Sequence, residues 1–324
     1  MKKLLFLFVA MLGIPCGIML AASLIFDEIT IGDGSNSVKN HYMGKNIFIE
    51  VNGLYKPIDV EEYVLGVLPG TISPEYDSEA LKVQAILIRT NVMKEMLENN
   101  TSDAADLSYQ YLTAEERRTM FGELHYEKDE KRFERAVAQT AGKVIKKEDS
   151  LIMALYHEVS IGKTASAKEI MGEDISYLQS VDSSQDVEAK HYMGIVTYSW
   201  KEIEEKMQAD GDLQKTTEQD LGEKEKDQDN KKIEITVTES TENGFVKKIT
   251  VGDRELTGEE AMEQFNLSST NFYVEEIDGG IRFVCLGKGN CLGVSLYGAN
   301  YLALQGKSCE EIIKYYYKDV TIAQ

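Results

Sequence analysis

Residues 59–90 read DVEEYVLGVLPGTISPEYDSEALKVQAILIRT. Two helical patterns stand here on either side of a stiff turn. Asp59-Val60-Glu61-Glu62 has the spacing of a capping box, and Val60, Val64, Val67 and Leu68 follow at helical intervals. Pro69-Gly70 ends this first helix. The second starts near Asp77 or Ser78. Its apolar positions Leu81, Ala85, Ile88, Val92 and Met96 predict one buried face, which leaves Gln84 and Arg89 free to point at a surface or a cleft. Between the helices, Val67–Tyr76 (VLPGTISPEY) holds two of the chain's four prolines, so it is a rigid segment built to present something.

Working outward, strand patterns appear on both sides. Asn46–Val51 alternates apolar and polar residues. Helix is expected around Ala114–Phe121 and over Arg132–Thr140, and a strand from Lys143. Leu151–Tyr156 reads as a buried strand leading into His157–Thr164. Ile233–Val237 alternates, and Val246–Val251 with a Gly252-Asp253 turn reads as hairpin material. Tyr297–Gly306 reads as a short helix stopped by glycine. Ser308-Cys309-Glu310-Glu311 is another capping box, with Ile312, Ile313 and Tyr316 as the apolar face of the last helix. No internal repeat is visible. The fold class expected is α+β, with mixed helices and mostly antiparallel strands.

The start of the chain differs from the rest. Lys2 and Lys3 precede Leu4–Phe26, a run of 23 residues without a charge, closed by Asp27 and Glu28. At about 1.5 Å per residue such a helix crosses a hydrocarbon core of about 30 Å. An uncleaved anchor is the reading taken. A cleaved signal peptide is the alternative, although Ala21-Ala22-Ser23 makes a weak cleavage site. Cys16 reads as a cysteine inside the membrane helix rather than a lipidation site. Basic residues at the inner end place everything after Asp27 outside. The expected organisation is therefore a cytoplasmic start and anchor at 1–27, a linker at 28–44 and one domain at 45–320. That domain carries a strand-rich insertion at about 200–283, including an acidic loop at 208–232 with three apolar residues among 25.

The chain has 35 basic and 55 acidic side chains; without Lys2 and Lys3 the outer part has 33 against 55, a net −22. Such a surface repels phosphate backbones, which excludes nucleic acid as a partner. Cys285, Cys291 and Cys309 allow one disulfide or three buried small residues, and no CxxC or Cys/His spacing points to zinc. No metal or cofactor is expected.

Several blocks, in order, resemble one family. Val60–Val67, Glu79–Ala85 and Arg89-Thr90 resemble the opening signature LEEYVxGVVxxEMP…EALKAQAxAART of the stage II sporulation protein D family. His157–Thr164 is similar to its HSSSGGRT segment, Tyr177–Asp182 to YLKSVD and Asn266–Thr270 to LRST. Gly289–Ala299 stands where the family has GHGVGMSQYGA, and Gln305–Tyr316 follows QGKSYEEILKHYY. The resemblance covers about residues 45–320.

It implies a membrane-anchored protein acting on the cell wall during engulfment, with peptidoglycan glycan strands as ligand and a sporulation amidase and other engulfment membrane proteins as partners. Characterised family members are similar to lytic transglycosylases. One glutamic acid protonates the oxygen leaving N-acetylmuramic acid, then takes a proton from the sugar's own 6-hydroxyl to leave a 1,6-anhydro end. That glutamate lies eight residues before the glutamate of EALKAQA, and the matching position here is Thr71, whose hydroxyl is no acid at neutral pH.

A second departure lies in the glycine-rich block, where the family's histidine and next glycine are Asn290 and Cys291. Glu75, four residues after Thr71, is the candidate substitute carboxylate; the alternative is an exposed acid near a helix start. Glu158 is expected on the face opposite His157 by strand alternation. The resemblance implies a ligand-binding set of Gln84, Arg89, His157, Ser160, Lys163, Asn290, Ser295 and Tyr297. For Arg89 a structural ion pair stays open, for His157 a satisfied strand-end histidine, and for Tyr297 core packing.

Overall fold

In a computed structural model of the chain, residues 45–209 and 232–324 are described. The anchor at 4–26, the linker at 28–44, Cys16 and nearly all of the acidic loop lie outside them. Among the described residues no helix is long and apolar enough to cross a membrane.

The described residues open with strands β1 (Asn46–Val51) and β2 (Leu54–Asp59), an antiparallel hairpin turning through Asn52 and Gly53. Both of these residues have positive φ, as the tight primed turn requires. Helix α1 (Val60–Val67) follows. Asp59 caps it by accepting from the Glu61 N–H at 2.7 Å, without a reciprocal bond from Glu62, while the Glu61 side chain turns inward to Arg89. A single 3-10 turn, Leu68–Gly70, leads to the 67–76 segment.

Helix α2 (Ser78–Glu98) is the centre of the domain. Leu81, Ala85, Ile88, Val92 and Met96 pack into one core with α1 and β1, while Ala80, Val83, Ile86 and Leu87 enter a second core with the C-terminal helices. The expectation of one buried face is thus corrected: α2 lies between two apolar layers, so Gln84 and Arg89 are themselves buried.

Next come α3 (Ala114–Phe121) and α4 (Glu123–Gln139), parted by Gly122, then β3 (Val144–Lys147) and β4 (Ser150–Leu151). The continuous strand expected over 151–156 is not formed. Only β5 (Tyr156–His157) resumes pairing, although Ile152 and Ala154 are buried as the pattern implied. After the short helix α5 (Ala167–Ile170) and a 3-10 turn at Ser184–Glu188 come β6 (Met193–Ser199) and α6 (Trp200–Ala209).

Strands β7 (Ile235–Ser240), β8 (Val246–Val251) and β9 (Arg254–Thr257) form one antiparallel sheet. After α7 (Gly258–Gln264), β10 (Phe272–Ile277) and β11 (Gly280–Leu286) join β6 in another. A separate core of Trp200, Ile203, Phe265, Phe272, Ile281 and Phe283 ties this region together.

The chain closes with β12 (Val294–Ser295), α8 (Leu296–Leu304), α9 (Cys309–Tyr316) and β13 (Thr321–Ala323), which pairs with β3. Ser308 and Glu311 form the expected capping box of α9. Cys285, Cys291 and Cys309 are all free thiols and all buried. The architecture is α+β with antiparallel sheets; the pairing of β12 with β5 is the parallel exception among the described strands.

Candidate functional site

The 67–76 segment is held from three directions. Arg132 of α4 donates to the Tyr76 carbonyl at 2.6 Å. Asn300 of α8 accepts the Asp77 N–H at 2.7 Å. Glu79 accepts both from Lys82 and, at 2.8 Å, from the Cys309 N–H. Burial opposes the charge of Glu79, but these bonds outweigh it and hold its pKa below the ordinary carboxylate value. Glu79 is therefore structural, and the C-terminal end of the turn is tied to α4, α8 and α9.

What the turn presents is one wall of a cleft of about 420 Å³. Pro69, Thr71, Ile72, Pro74 and Tyr76 form that wall, Met120 and Phe121 of α3 stand beside it, and Glu158 and Leu296 complete the lining. Thr71 ends the 3-10 turn, and both its N–H and its hydroxyl donate to the Leu68 carbonyl, at 3.0 and 2.9 Å. Its proton is committed and only lone pairs face outward. Tyr76 is pushed up to about 12, first by burial and then by the negative charge of Glu158. Glu75 is exposed, its N–H set against the Ser73 hydroxyl at 3.3 Å, and it does not line the cleft.

Glu158 follows β5. Its backbone N–H donates to the Lys288 carbonyl and its carbonyl accepts from Tyr297. Its carboxylate pairs with the Lys288 ammonium at 2.6 Å. Strand alternation does separate it from His157, but Glu158 takes the cleft side and His157 the interior.

Behind the cleft lies a buried polar cluster centred on Asp186, which the sequence reading missed. Asp186 accepts from the Ser160 N–H at 2.7 Å, the Ser295 hydroxyl at 2.6 Å and the Ser183 hydroxyl at 3.0 Å. Three donors around one buried carboxylate supply what water would otherwise give. His157, 3% exposed, donates from Nδ1 to the Leu292 carbonyl at 2.9 Å, and its Nε2 has no partner. Burial draws its pKa down to about 4, against the pull of that hydrogen bond and of Asp186.

The glycine-rich block serves this packing. A Cβ on Gly289 would come within 2.8 Å of the His157 Cβ, and one on Gly293 within 1.9 Å of the Leu155 carbonyl oxygen. Both glycines have positive φ. Asp186 itself sits in the polar run Asp182-Ser-Ser-Gln-Asp186, which reads as loop; no local signal marks it.

The remaining sequence candidates scatter. Ser160 and Ser295 belong to the Asp186 cluster. Arg89 is fully enclosed in an ion pair with Glu61 and further donates to the Lys143 carbonyl, which is the structural alternative rather than a ligand contact. Gln84 is buried with both amide atoms unpartnered, and it does not line the cleft beside Thr71. Asn290 accepts the Leu292 N–H at 3.0 Å, shaping its own loop. Lys163 is exposed and pairs through its backbone with Asp182. Tyr297 is half-buried, near Tyr76.

A family model described as "Stage II sporulation protein" matches residues 52–146, which include the 67–76 turn and α2. Stage II sporulation protein D of Bacillus amyloliquefaciens is 30% identical over 275 residues, 82% of this chain and 75% of that protein. The chain belongs to the stage II sporulation protein D family. Stage II sporulation protein D of Bacillus subtilis (strain 168) is 27% identical over 299 residues, 90% of this chain and 82% of its own length. An uncharacterised protein of Brachyspira hyodysenteriae is 27% identical over 292 residues, or 87% and 72% of the two chains. Thr71, in the cleft wall, lies within the matched residues 52–146.

Proposed function

We propose that this stage II sporulation protein D homologue is a single-pass cell-membrane protein, anchored through residues 4–26, whose outer domain binds peptidoglycan glycan strands during engulfment with its lytic transglycosylase step lost or impaired. A sporulation amidase and other engulfment membrane proteins are its proposed partners. One observation carries the reading: Thr71 stands at the family's glutamate position, lines the cleft, and has its hydroxyl proton tied to the Leu68 carbonyl. A threonine there neither protonates a glycosidic oxygen nor accepts the 6-hydroxyl proton, because its pKa lies far outside the range of exchange at neutral pH. Glu75 is no replacement, being exposed and outside the cleft lining. The surrounding Ile72, Pro74, Phe121 and Leu296 offer the apolar surface that sugar C–H faces pack against.

The test is incubation of the full chain with denuded glycan strands, read by mass spectrometry for 1,6-anhydro ends. Binding without turnover in the natural sequence, with turnover appearing in Thr71→Glu, is the expected result. Robust turnover by the natural sequence, abolished by Glu75→Gln, overturns it.

A further inference from the structure

Among the residues lining the cleft, Glu158 is the one carboxylate. It stands on β5's continuation, in the same cleft as the Thr71 wall, and both groups offer acceptors. The Thr71 hydroxyl donates to the Leu68 carbonyl. The Glu158 carboxylate has Oε2 at 2.6 Å from the Lys288 ammonium, and no hydrogen-bond donor among the described residues engages Oε1. An ion-paired carboxylate accepts hydrogen bonds and does not donate a proton. The cleft is therefore complementary to a ligand rich in donors and with apolar faces, a description that fits a sugar ring bearing hydroxyl and acetamido N–H groups.

We propose that Glu158 is the ligand-orienting residue of this cleft, its free carboxylate oxygen accepting from a sugar hydroxyl or acetamido N–H while Lys288 holds the other oxygen. This rests on the glycan-strand reading given above. Glu158 is proposed as a binding residue, with one carboxylate oxygen held by the Lys288 ammonium and the other turned to the ligand. Its side chain is 37% exposed, so removing it leaves the cores untouched.

The experiment measures the dissociation constant of denuded glycan strands for the full chain in detergent, comparing the natural sequence with Glu158→Ala, Glu158→Gln, Lys288→Ala and Glu75→Ala. A hydrogen bond to a charged group corresponds to on the order of ten- to a hundredfold in affinity. Glu158→Ala is expected to weaken binding by at least about tenfold on that basis, with Glu158→Gln between it and the natural sequence. Glu75→Ala, an exposed charge outside the cleft lining, should remain within about threefold, and Lys288→Ala should lose less than Glu158→Ala. Equal losses in Glu158→Ala and Lys288→Ala would mean that only the ion pair matters and would overturn the proposal, as would unchanged binding by Glu158→Ala. Failure of the natural sequence to bind strands at all removes the glycan reading itself and this inference with it, so the two failures are told apart by the first measurement.

Discussion

Arg89 and Glu61 are joined at two points, Nε to Oε1 at 2.8 Å and Nη2 to Oε2 at 2.5 Å, with neither side chain more than 1% exposed. Glu61 Oε1 also accepts the Gly142 N–H at 3.0 Å. The pair links α1, α2 and the turn before β3. Removing one partner leaves a buried, uncompensated charge, which costs about 3–5 kcal/mol. Arg89→Leu and Glu61→Leu should each lower Tm by roughly 10 °C, while the double substitution should recover part of the loss. A double-mutant cycle by thermal melting checks this; additive losses would refute the coupling.

His157 makes the domain sensitive to acid. Its pKa falls from 6.5 in the unfolded chain to about 4 in the fold because burial disfavours the imidazolium. Between those values the unfolded chain binds a proton that the folded one does not. Stability therefore declines as pH drops from about 6.5, and the loss levels off below about 4 at on the order of 3 kcal/mol. His157→Gln, neutral throughout, should show a flatter dependence of Tm over pH 7.5 to 4.5; parallel curves would rule out this histidine as the source.

Gly298 opens onto the Asp186 cluster. A Cβ there would meet the Tyr316 hydroxyl at 2.1 Å and the Ser183 hydroxyl at 2.6 Å, in an interior where both are buried. Gly298→Ala should destabilise by about 1–3 kcal/mol through overpacking, against the usual gain for alanine inside a helix. Chemical denaturation measures it, and a neutral or stabilising outcome would show that the cluster can shift.

Ser295→Ala removes one of three donors to a buried carboxylate. A bond to a charged group contributes about 1.5–3 kcal/mol, so a loss of that size is expected in urea melts. Glu75→Gln, by contrast, changes an exposed side chain and should stay within about 0.5 kcal/mol.

The legible parts of the fold were those with local signals. Asp59, Ser308 and the apolar spacing of α9 mark helix ends and faces that physical chemistry fixes within a few residues. The burial of α2 on two sides was not legible, because helical spacing reveals one apolar stripe and the second layer is supplied by α8 and α9, more than 200 positions away. The ion pair of Arg89 stayed an open alternative to a ligand contact for the same reason: its partner Glu61 lies 28 residues back, inside what looked like a capping box. In the site, Thr71 was visible as a departure from a pattern, whereas Asp186 and the cleft-facing side of Glu158 depend on how β5 meets β12.

That parallel contact, Val294 with Tyr156 and Ser295 with His157, joins positions 138 residues apart. Closing so long a loop costs entropy before any packing repays it, and non-local pairing slows folding. The segment 52–146 emerges from the ribosome bearing the turn with Thr71, but one side of the cleft waits for Leu296, at least 150 residues later. A nascent or truncated chain ending before residue 294 thus carries the whole stretch matched by the family model and only part of the cleft's walls.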